Sequence, residues 1–307
     1  MSLHTSNTIL KVSGLQKKFG SFEAVRDVSF QVNKGDVFGF LGPNGAGKST
    51  TIRCMLSLIQ YDAGEVSIFG ESLAKNRNQI LSKIGCIIEK PDFYKYLSAQ
   101  KNLELVARIS GARVSKKQIQ EMLDFVGLGD RSKDKVGSFS HGMKQRLGIA
   151  QTLLHNPELI VLDEPTTGLD PQGIKEVREL ILRLKNEQQK TILLSSHQLA
   201  EIEMIANRMI IINKGKTIVE GSVAELLQND DLIVLFTVSE PSKSKALINS
   251  QFPSINVELL AENQLKCVVN EQDVPQINAC LTQNGISVHA IEPKRKLEDY
   301  FMKIVSN

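Results

Sequence analysis

The 307-residue chain has few cysteines, no long apolar run and almost no excess of one charge. Its four cysteines, Cys54, Cys86, Cys267 and Cys280, lie far apart with no CxxC pair, which excludes a disulfide scaffold and a zinc knuckle. A reduced, cytoplasmic compartment is the expectation that follows. The longest apolar stretches, LIVLF at 232–236 and MIII at 209–212, fall far short of the ~18 residues a membrane span needs. Any membrane role is therefore expected to come through a partner. Thirty-seven basic and 34 acidic residues leave a formal charge of +3, too little to argue for nucleic acid or an anionic lipid surface. MSLHTSNTIL carries neither a basic leader nor an apolar run, so no signal peptide is expected.

The content is that of a globular chain. With 41% hydrophobic and 23% charged residues there is material for a sizeable core, and the length suits two domains. DVFGFLG (36–42), ELIVLDE (158–164) and TILLSS (191–196) are short apolar runs of the kind buried in a parallel sheet. KKQIQEMLDFVGL (116–128) reads as a helix that stops at glycine. GIKEVRELILRLKNEQ (173–188) is an amphipathic helix between two of the strands, hence a βαβ pattern and an α/β fold. MIIINKGKTIVEG (209–221) reads as a hairpin turning at 213–215. Composition shifts near Asn229-Asp230-Asp231. Beyond it the pattern is strand (232–238), helix (242–252), strand (255–260), strand (264–269), helix (273–284), strand (286–292), the ferredoxin-like βαββαβ order, with a last helix over 296–305. The expected domains are 8–230 and 231–307.

GPNGAGKST (42–50) follows an apolar strand and opens a helix, the context in which GxxxxGK[ST] binds phosphate. Gly42, Pro43, Asn44, Gly45, Ala46 and Gly47 would let backbone N–H groups converge on phosphate oxygens, and the helix N-terminus adds its dipole. Lys48 would reach the β- and γ-phosphates, the Ser49 hydroxyl would ligate Mg²⁺, and Thr50 completes the loop. LIVLDEP (159–165) ends a strand in two acids. Asp163 at the tip suits the metal, and Glu164, projecting differently, suits a general base acting on water. SSH (195–197) closes the next strand and points His197 at the cleft where such sheets hold ligands. A histidine there is either structural or a γ-phosphate contact, and the neighbouring motifs favour the contact.

A fourth stretch, FSHGMKQR (139–146), sets serine, histidine and basic residues together, as in a hydrolase or an anion site. The order of motifs decides between these. GPNGAGKST, FSHGMKQR, LIVLDEP, TGLD (167–170) and SSH, in that order, resemble the ATP-binding subunit of ABC transporters over roughly residues 8–228. The resemblance implies a P-loop NTPase with a parallel sheet core, an antiparallel N-terminal β subdomain and a helical subdomain over about 90–155. It implies ATP and Mg²⁺ as ligands, ATP hydrolysis coupled to transport, and separate transmembrane permease subunits that hold the chain on the cytoplasmic face of the membrane. It implies a head-to-tail dimer, of two copies or with a paralogue, in which Ser140 and Gly142 meet the γ-phosphate of ATP held by the other subunit. Asp170 would then cross the interface. Phe19 takes the place of the aromatic that stacks on adenine, or is an ordinary core aromatic, and Val25 is a second wall.

Two departures stand out. His141 and Met143 replace a glycine and a glutamine of the family's LSGGQ, while Ser140 and Gly142 remain. Glu89, in CIIEKPDFY (86–94), replaces a glutamine that meets Mg²⁺ and links to the membrane partner; a carboxylate there would ligate the metal more strongly. Both are similar to the branch that includes bacitracin-resistance and gliding-motility exporters. On this reading His141 is not catalytic, and 92–102 is the docking face for the permease. The alternatives fit less well. A ribosome-acting soluble relative carries two ATP-binding halves, and this chain has one P-loop. A chromosome-organising ATPase needs sustained heptads that are missing here. A GTPase would show NKxD rather than NKG at 213–215. An RNA-binding tail would need paired aromatics on its strands.

Overall fold

The computed structural model describes residues 7–228, 232–260, 263–295 and 301. They form two compact units divided between Ser222 and Val223, some residues ahead of the composition shift at 229–231, which itself lies outside the described residues.

The first unit runs β1 (Thr8–Phe19), β2 (Phe22–Asn33), β3 (Val37–Leu41), α1 (Lys48–Met55), β4 (Ala63–Ile68), β5 (Glu71–Ser72), α2 (Leu73–Leu81) and β6 (Ile84–Ile87). A helical stretch follows, with α3 (Ala99–Ile109), α4 (Lys116–Phe125) and α5 (His141–Thr152). The chain then returns through β7 (Leu159–Leu162), α6 (Pro171–Gln188), β8 (Thr191–Ser196), α7 (Leu199–Ile205), β9 (Arg208–Asn213) and β10 (Lys216–Ser222). The strands line up as β5-β4-β1-β2-β10-β9-β3-β8-β7-β6.

Two kinds of strand share this sheet. β3, β7 and β8 are buried at every position and pair in parallel, as strands covered on both faces must be. β1 and β2 alternate buried and exposed side chains and pair antiparallel, with β4 beyond them. One parallel step, Lys216 on β10 opposite Asp27 on β2, joins the two halves. The β9–β10 turn uses Lys214 and Gly215, both at positive φ, which is the twist a tight hairpin needs.

Helix ends follow local chemistry. Ser98 caps α3, Ser115 and Gln118 form a capping box on α4, and Asp170 caps α6, with Pro171 at its first position. In the core, Phe30 of β2 stacks on Phe38 and meets Phe40 at a tilt. All four cysteines are free, and burial pushes the Cys54 and Cys267 thiols up to about 11.

The second unit holds α8 (Val223–Gln228), β11 (Leu232–Val238), α9 (Pro241–Gln251), β12 (Asn256–Leu259), β13 (Gln264–Val269), α10 (Asp273–Gln283) and β14 (Val288–Arg295). Its strand order β12-β13-β11-β14, antiparallel throughout, is that of a split βαβ sheet. Val234, Phe236, Val238, Leu265 and Cys267 cluster with Ile248 of α9 and with Ile277 and Leu281 of α10. The helix expected over 296–305 lies, apart from Phe301, outside the described residues.

Candidate functional site

Parallel register decides which loops meet. Leu41 of β3 lies opposite Ser196, and Leu162 of β7 lies opposite Leu194. The residues just past those positions therefore become neighbours: Gly42 meets the end of β8, and Asp163 meets Ser195. The Gly42 amide donates to the Ser196 carbonyl at 3.3 Å, and the Asp163 amide donates to the Ile87 carbonyl of β6 at 2.9 Å. Four segments distant in sequence converge at the carboxyl end of the sheet, where open α/β folds hold ligands.

The loop Gly42–Gly47 leads from β3 into α1. Ala46 donates its amide to the Pro43 carbonyl at 3.1 Å, while Asn44 and Gly45 stand exposed at the tip. Gly47, at φ 101°, precedes α1, and a Cβ there would lie 2.6 Å from the Ala24 carbonyl oxygen. Only glycine fits that conformation and that approach. No side chain caps α1 and no acid sits in its first turn, so its N–H groups and positive dipole end are left for an anion. Ser49 and Thr50 are half-buried in that turn.

Lys48 is 5% exposed. Its Nζ donates to the carbonyls of Gly42 (2.8 Å) and Pro43 (3.3 Å) and lies 3.2 Å from Glu164 Oε1. Glu164 Oε2 accepts from the Thr167 hydroxyl at 2.9 Å and lies 3.3 Å from His197 Nδ1, which makes no hydrogen bond of its own. Burial pushes the Glu164 carboxyl up, but the Thr167 hydroxyl, Lys48 and His197 together outweigh it and hold it below the ordinary carboxylate range. Lys48, Glu164 and His197 are thus brought into one cluster.

Asp163 points elsewhere. It is 6% exposed, and its Oδ1 accepts from Ser195 Oγ at 2.5 Å. Asp163 and Ser49 supply hard oxygen donors, the kind Mg²⁺ takes. Glu89 is not gathered with them. Its side chain is exposed and paired with Arg53 of α1. Among the described residues no group of three or more His, Cys, Asp or Glu forms a metal cluster.

Phe19 ends β1, half-exposed at 51%, with Lys17 Nζ 5.3 Å from its ring centroid. It is not a core aromatic. Its hairpin is tied to the phosphate loop through the β9–β10 turn: the Gly215 carbonyl accepts from the Arg26 and Asp27 amides at 2.8 and 3.2 Å, and the Gly215 amide donates to the Ala46 carbonyl at 3.0 Å. Val25 does not form a wall: it is fully buried in the core. The second exposed aromatic is Phe22, 63% exposed and opposite Phe19 across the turn.

FSHGMKQR forms a separate corner. Ser140 is the N-cap of α5 and accepts from the Met143 amide at 3.2 Å. His141 is exposed and Gly142 is buried. A Cβ on Gly142 would lie 3.4 Å from Gly173 Cα, so the N-termini of α5 and α6 approach closely there. Asp170 joins this corner, but its carboxylate accepts from the Gly173 amide at 3.1 Å and is committed to capping α6. Arg146 makes no anion site. It donates to the carbonyls of Val126 (2.8 Å) and Gly127 (3.1 Å) behind α4 and pairs with Glu176 at 3.2 Å. Of the expected docking face, Tyr94 and Tyr96 are exposed, but Asn102 is 2% exposed. Its amide donates to the carbonyls of Tyr94, Leu97 and Ser98, and its Oδ1 accepts from the Tyr94 amide, so it holds that loop rather than presenting a surface.

Thr167, Ser195 and Phe22 are the site residues that the sequence reading passed over. Ser195 left one signal, a polar side chain in an apolar strand, and Thr167 another, its place at the head of TGLD; Phe22 left none.

Comparison with known proteins agrees with this geometry. The family described as "ABC transporter" matches residues 25–167. The chain is 43% identical, over 97% of its length and 98% of the relative's, to the bacitracin transport ATP-binding protein BcrA of Bacillus licheniformis. It is also 43% identical, over 69% of its length and 90% of the relative's, to the lantibiotic transport ATP-binding protein SrtF of Streptococcus pyogenes. Among solved structures it is similar to a dimeric ATP-binding cassette in a post-hydrolysis state bound to ADP and Pi, with a TM-score of 0.62 and 25% identity over 70% of this chain and 98% of that one.

Proposed function

Because this chain belongs to the ATP-binding subunits of ABC transporters, we propose that it hydrolyses ATP through the Lys48–Glu164–His197 cluster while closed head to tail on a second ATP-binding subunit. The observation that carries the reading is the Lys48 ammonium, held 3.2 Å from Glu164 at the uncapped start of α1. A triphosphate entering the loop offers that ammonium a better acceptor than one carboxylate. Lys48 turns to the γ-phosphate, and Glu164 is freed. The base then loses the Lys48 ammonium, one of the neighbours that hold its carboxyl down beside the Thr167 hydroxyl, as a water reaches it, which raises its proton affinity toward what general-base catalysis needs. His197, 3.3 Å from Glu164, orients the carboxylate and contacts the γ-phosphate. Phe19, with Phe22 beside it, covers the adenine. Ser49 and Asp163 would hold Mg²⁺, which when bound would draw charge from the β- and γ-phosphates. Glu89 joins them only after leaving Arg53.

The separation of Ser140 and Gly142 from the phosphate loop supports the dimer: among the described residues no hydrogen bond joins the two corners. An α5 N-terminus with an N-cap serine suits a γ-phosphate brought by a partner. Separate permease subunits bring the chain to the cytoplasmic face of the membrane, with Tyr94 and Tyr96 as contact residues; no helix among the described residues is long and apolar enough to cross it. The relatives' names support transport of a cargo of the bacitracin or lantibiotic kind, and the resemblance to an exporter branch makes export its direction. The second unit acts as an accessory domain that stabilises the dimer or contacts a partner. A ribosomal or other non-transport role is not favoured by relatives named for transport along almost the whole chain.

Ser140→Arg tests the reading. Each monomer should bind ATP normally, and the ATP-dependent doubling of mass in light scattering should vanish. A normal ATP dimer in that variant would refute the role of this corner.

A further inference from the structure

β8 ends in two consecutive serines, both buried, at 0% and 3% exposure. Valine would suit a central strand better at either position, by propensity and by burial. A buried hydroxyl is tolerable only if it is bonded, and both are. Consecutive strand residues face opposite sides of the sheet, and the two serines do different things. Ser196 donates to Glu201 Oε2 at 2.9 Å, where the Thr166 hydroxyl also donates, at 2.7 Å. Ser195 donates to Asp163 Oδ1 at 2.5 Å and accepts the Glu164 amide at 2.8 Å. One hydroxyl thus grips two neighbouring acids, one by its side chain and the other by its backbone.

The grip matters because Glu164 sits at φ 48°, a left-handed conformation that is strained for a residue with a Cβ. That turn sends the two carboxylates apart, Asp163 toward Ser195 and Glu164 toward Lys48, Thr167 and His197. A carboxylate held by a charge-assisted bond from a buried hydroxyl has one rotamer to offer, and Oδ2 of Asp163 accepts no hydrogen bond among the described residues. The oxygen left over is the one a cation would use.

We propose that Ser195 is a positioning residue for magnesium: its hydroxyl fixes the Asp163 carboxylate and the Glu164 turn, so that metal holder and general base stand at a set angle. This rests on the reading of Asp163 as the metal-holding acid. Loss of a group that orients a metal ligand costs 10- to 100-fold in metal affinity in comparable sites. The effect belongs to the metal and not to the nucleotide, because the Ser195 hydroxyl is bonded to Asp163 and to the Glu164 amide and to no residue of the phosphate loop.

The experiment uses the full chain with Ser195→Ala, Ser195→Cys and Asp163→Asn. ATP affinity is measured by calorimetry in EDTA and in excess Mg²⁺, and the Mg²⁺ midpoint of turnover at saturating ATP. Ser195→Ala should bind ATP in EDTA within about twofold of the original chain, lose the gain in affinity that Mg²⁺ brings, and raise the midpoint about 10-fold or more. Ser195→Cys, nearly the same shape with a weak donor, should move both readouts in the same direction by less, and it carries the test if the alanine variant does not fold. If Asp163→Asn shifts the midpoint and neither Ser195 variant does, Ser195 has no positioning role and Asp163 keeps its own. If Asp163→Asn leaves the midpoint unmoved, the metal reading of Asp163 fails and the proposal with it. Equal loss of ATP affinity with and without Mg²⁺ in both Ser195 variants would show a merely structural serine and overturn the proposal.

Discussion

Replacing Glu164 by glutamine removes one negative charge and almost no volume. Three partners feel it: Lys48 Nζ at 3.2 Å, the Thr167 hydroxyl at 2.9 Å and His197 Nδ1 at 3.3 Å. The glutamine carbonyl can still accept from Lys48 or Thr167, so the loop should keep its shape. Two effects of opposite sign follow. Turnover should fall by ~10²-fold or more, since an amide cannot take a proton from water. ATP affinity should rise, since phosphate no longer competes with a carboxylate for Lys48. That ion pair is partly desolvated, with side chains 5% and 25% exposed, so its net worth exceeds that of a surface pair. A value of about 1–2 kcal/mol corresponds to ~5- to 30-fold tighter binding. Stability carries a third signature. The folded-state carboxyl is held below its ordinary range, so its contribution is present above the unfolded pKa and is lost as pH falls through the folded one. The original chain should melt above the variant at neutral pH, and the gap should close in acid below the ordinary carboxylate range. The assays are single-turnover hydrolysis, calorimetric ATP binding and thermal melts across pH. Turnover within threefold of the original chain would refute the general base. Unchanged affinity would refute the competition for Lys48.

Phe19→Ala should weaken ATP about tenfold while leaving tripolyphosphate binding alone, because an aromatic stacked on a base is worth ~1–3 kcal/mol; a loss confined to Phe22→Ala instead would move the adenine contact across the turn. Glu89→Gln should free Arg53 and change the Mg²⁺ titration or permease-stimulated turnover more than ATP affinity. Its pair is exposed, so melting should shift little, and an unchanged titration together with unchanged stimulated turnover would count against Glu89.

The close approach of the α5 and α6 N-termini links the two corners of the subunit. Asp170 caps α6 three residues after Thr167, which holds Glu164. In the proposed dimer, a partner's phosphate on Ser140 would press on the segment that holds Glu164. Arg146, bonded to the carbonyls behind α4 and to Glu176, fixes α5 in the helical subdomain instead of binding an anion.

Features set by neighbours in the chain were legible in the sequence. The phosphate loop is nine consecutive residues whose glycines, lysine and hydroxyl work through the backbone they interrupt, so Lys48 and Ser49 could be proposed as phosphate and metal contacts before any fold was known. β11 and β13 were bounded to the residue because a half-buried antiparallel strand writes its alternation into the sequence. The family resemblance rested on the same local strings. What the sequence could not settle depended on which strands lie side by side. Ser195 reaches Asp163 across 32 residues, and Arg53 reaches Glu89 across 36. Parallel strand order is set by crossover connections, and no periodicity records it. Val25, Asn102 and Arg146 went the same way. Val25 as a wall and 92–102 as a docking surface followed from the family resemblance, and the basic residues of FSHGMKQR only suggested an anion site; burial of Val25 and the backbone carbonyls that Asn102 and Arg146 bond decided otherwise. Local sequence determined where the phosphate loop lies; tertiary register decided which carboxylate faces Lys48, because only packing brings the ends of β3, β7 and β8 to one edge.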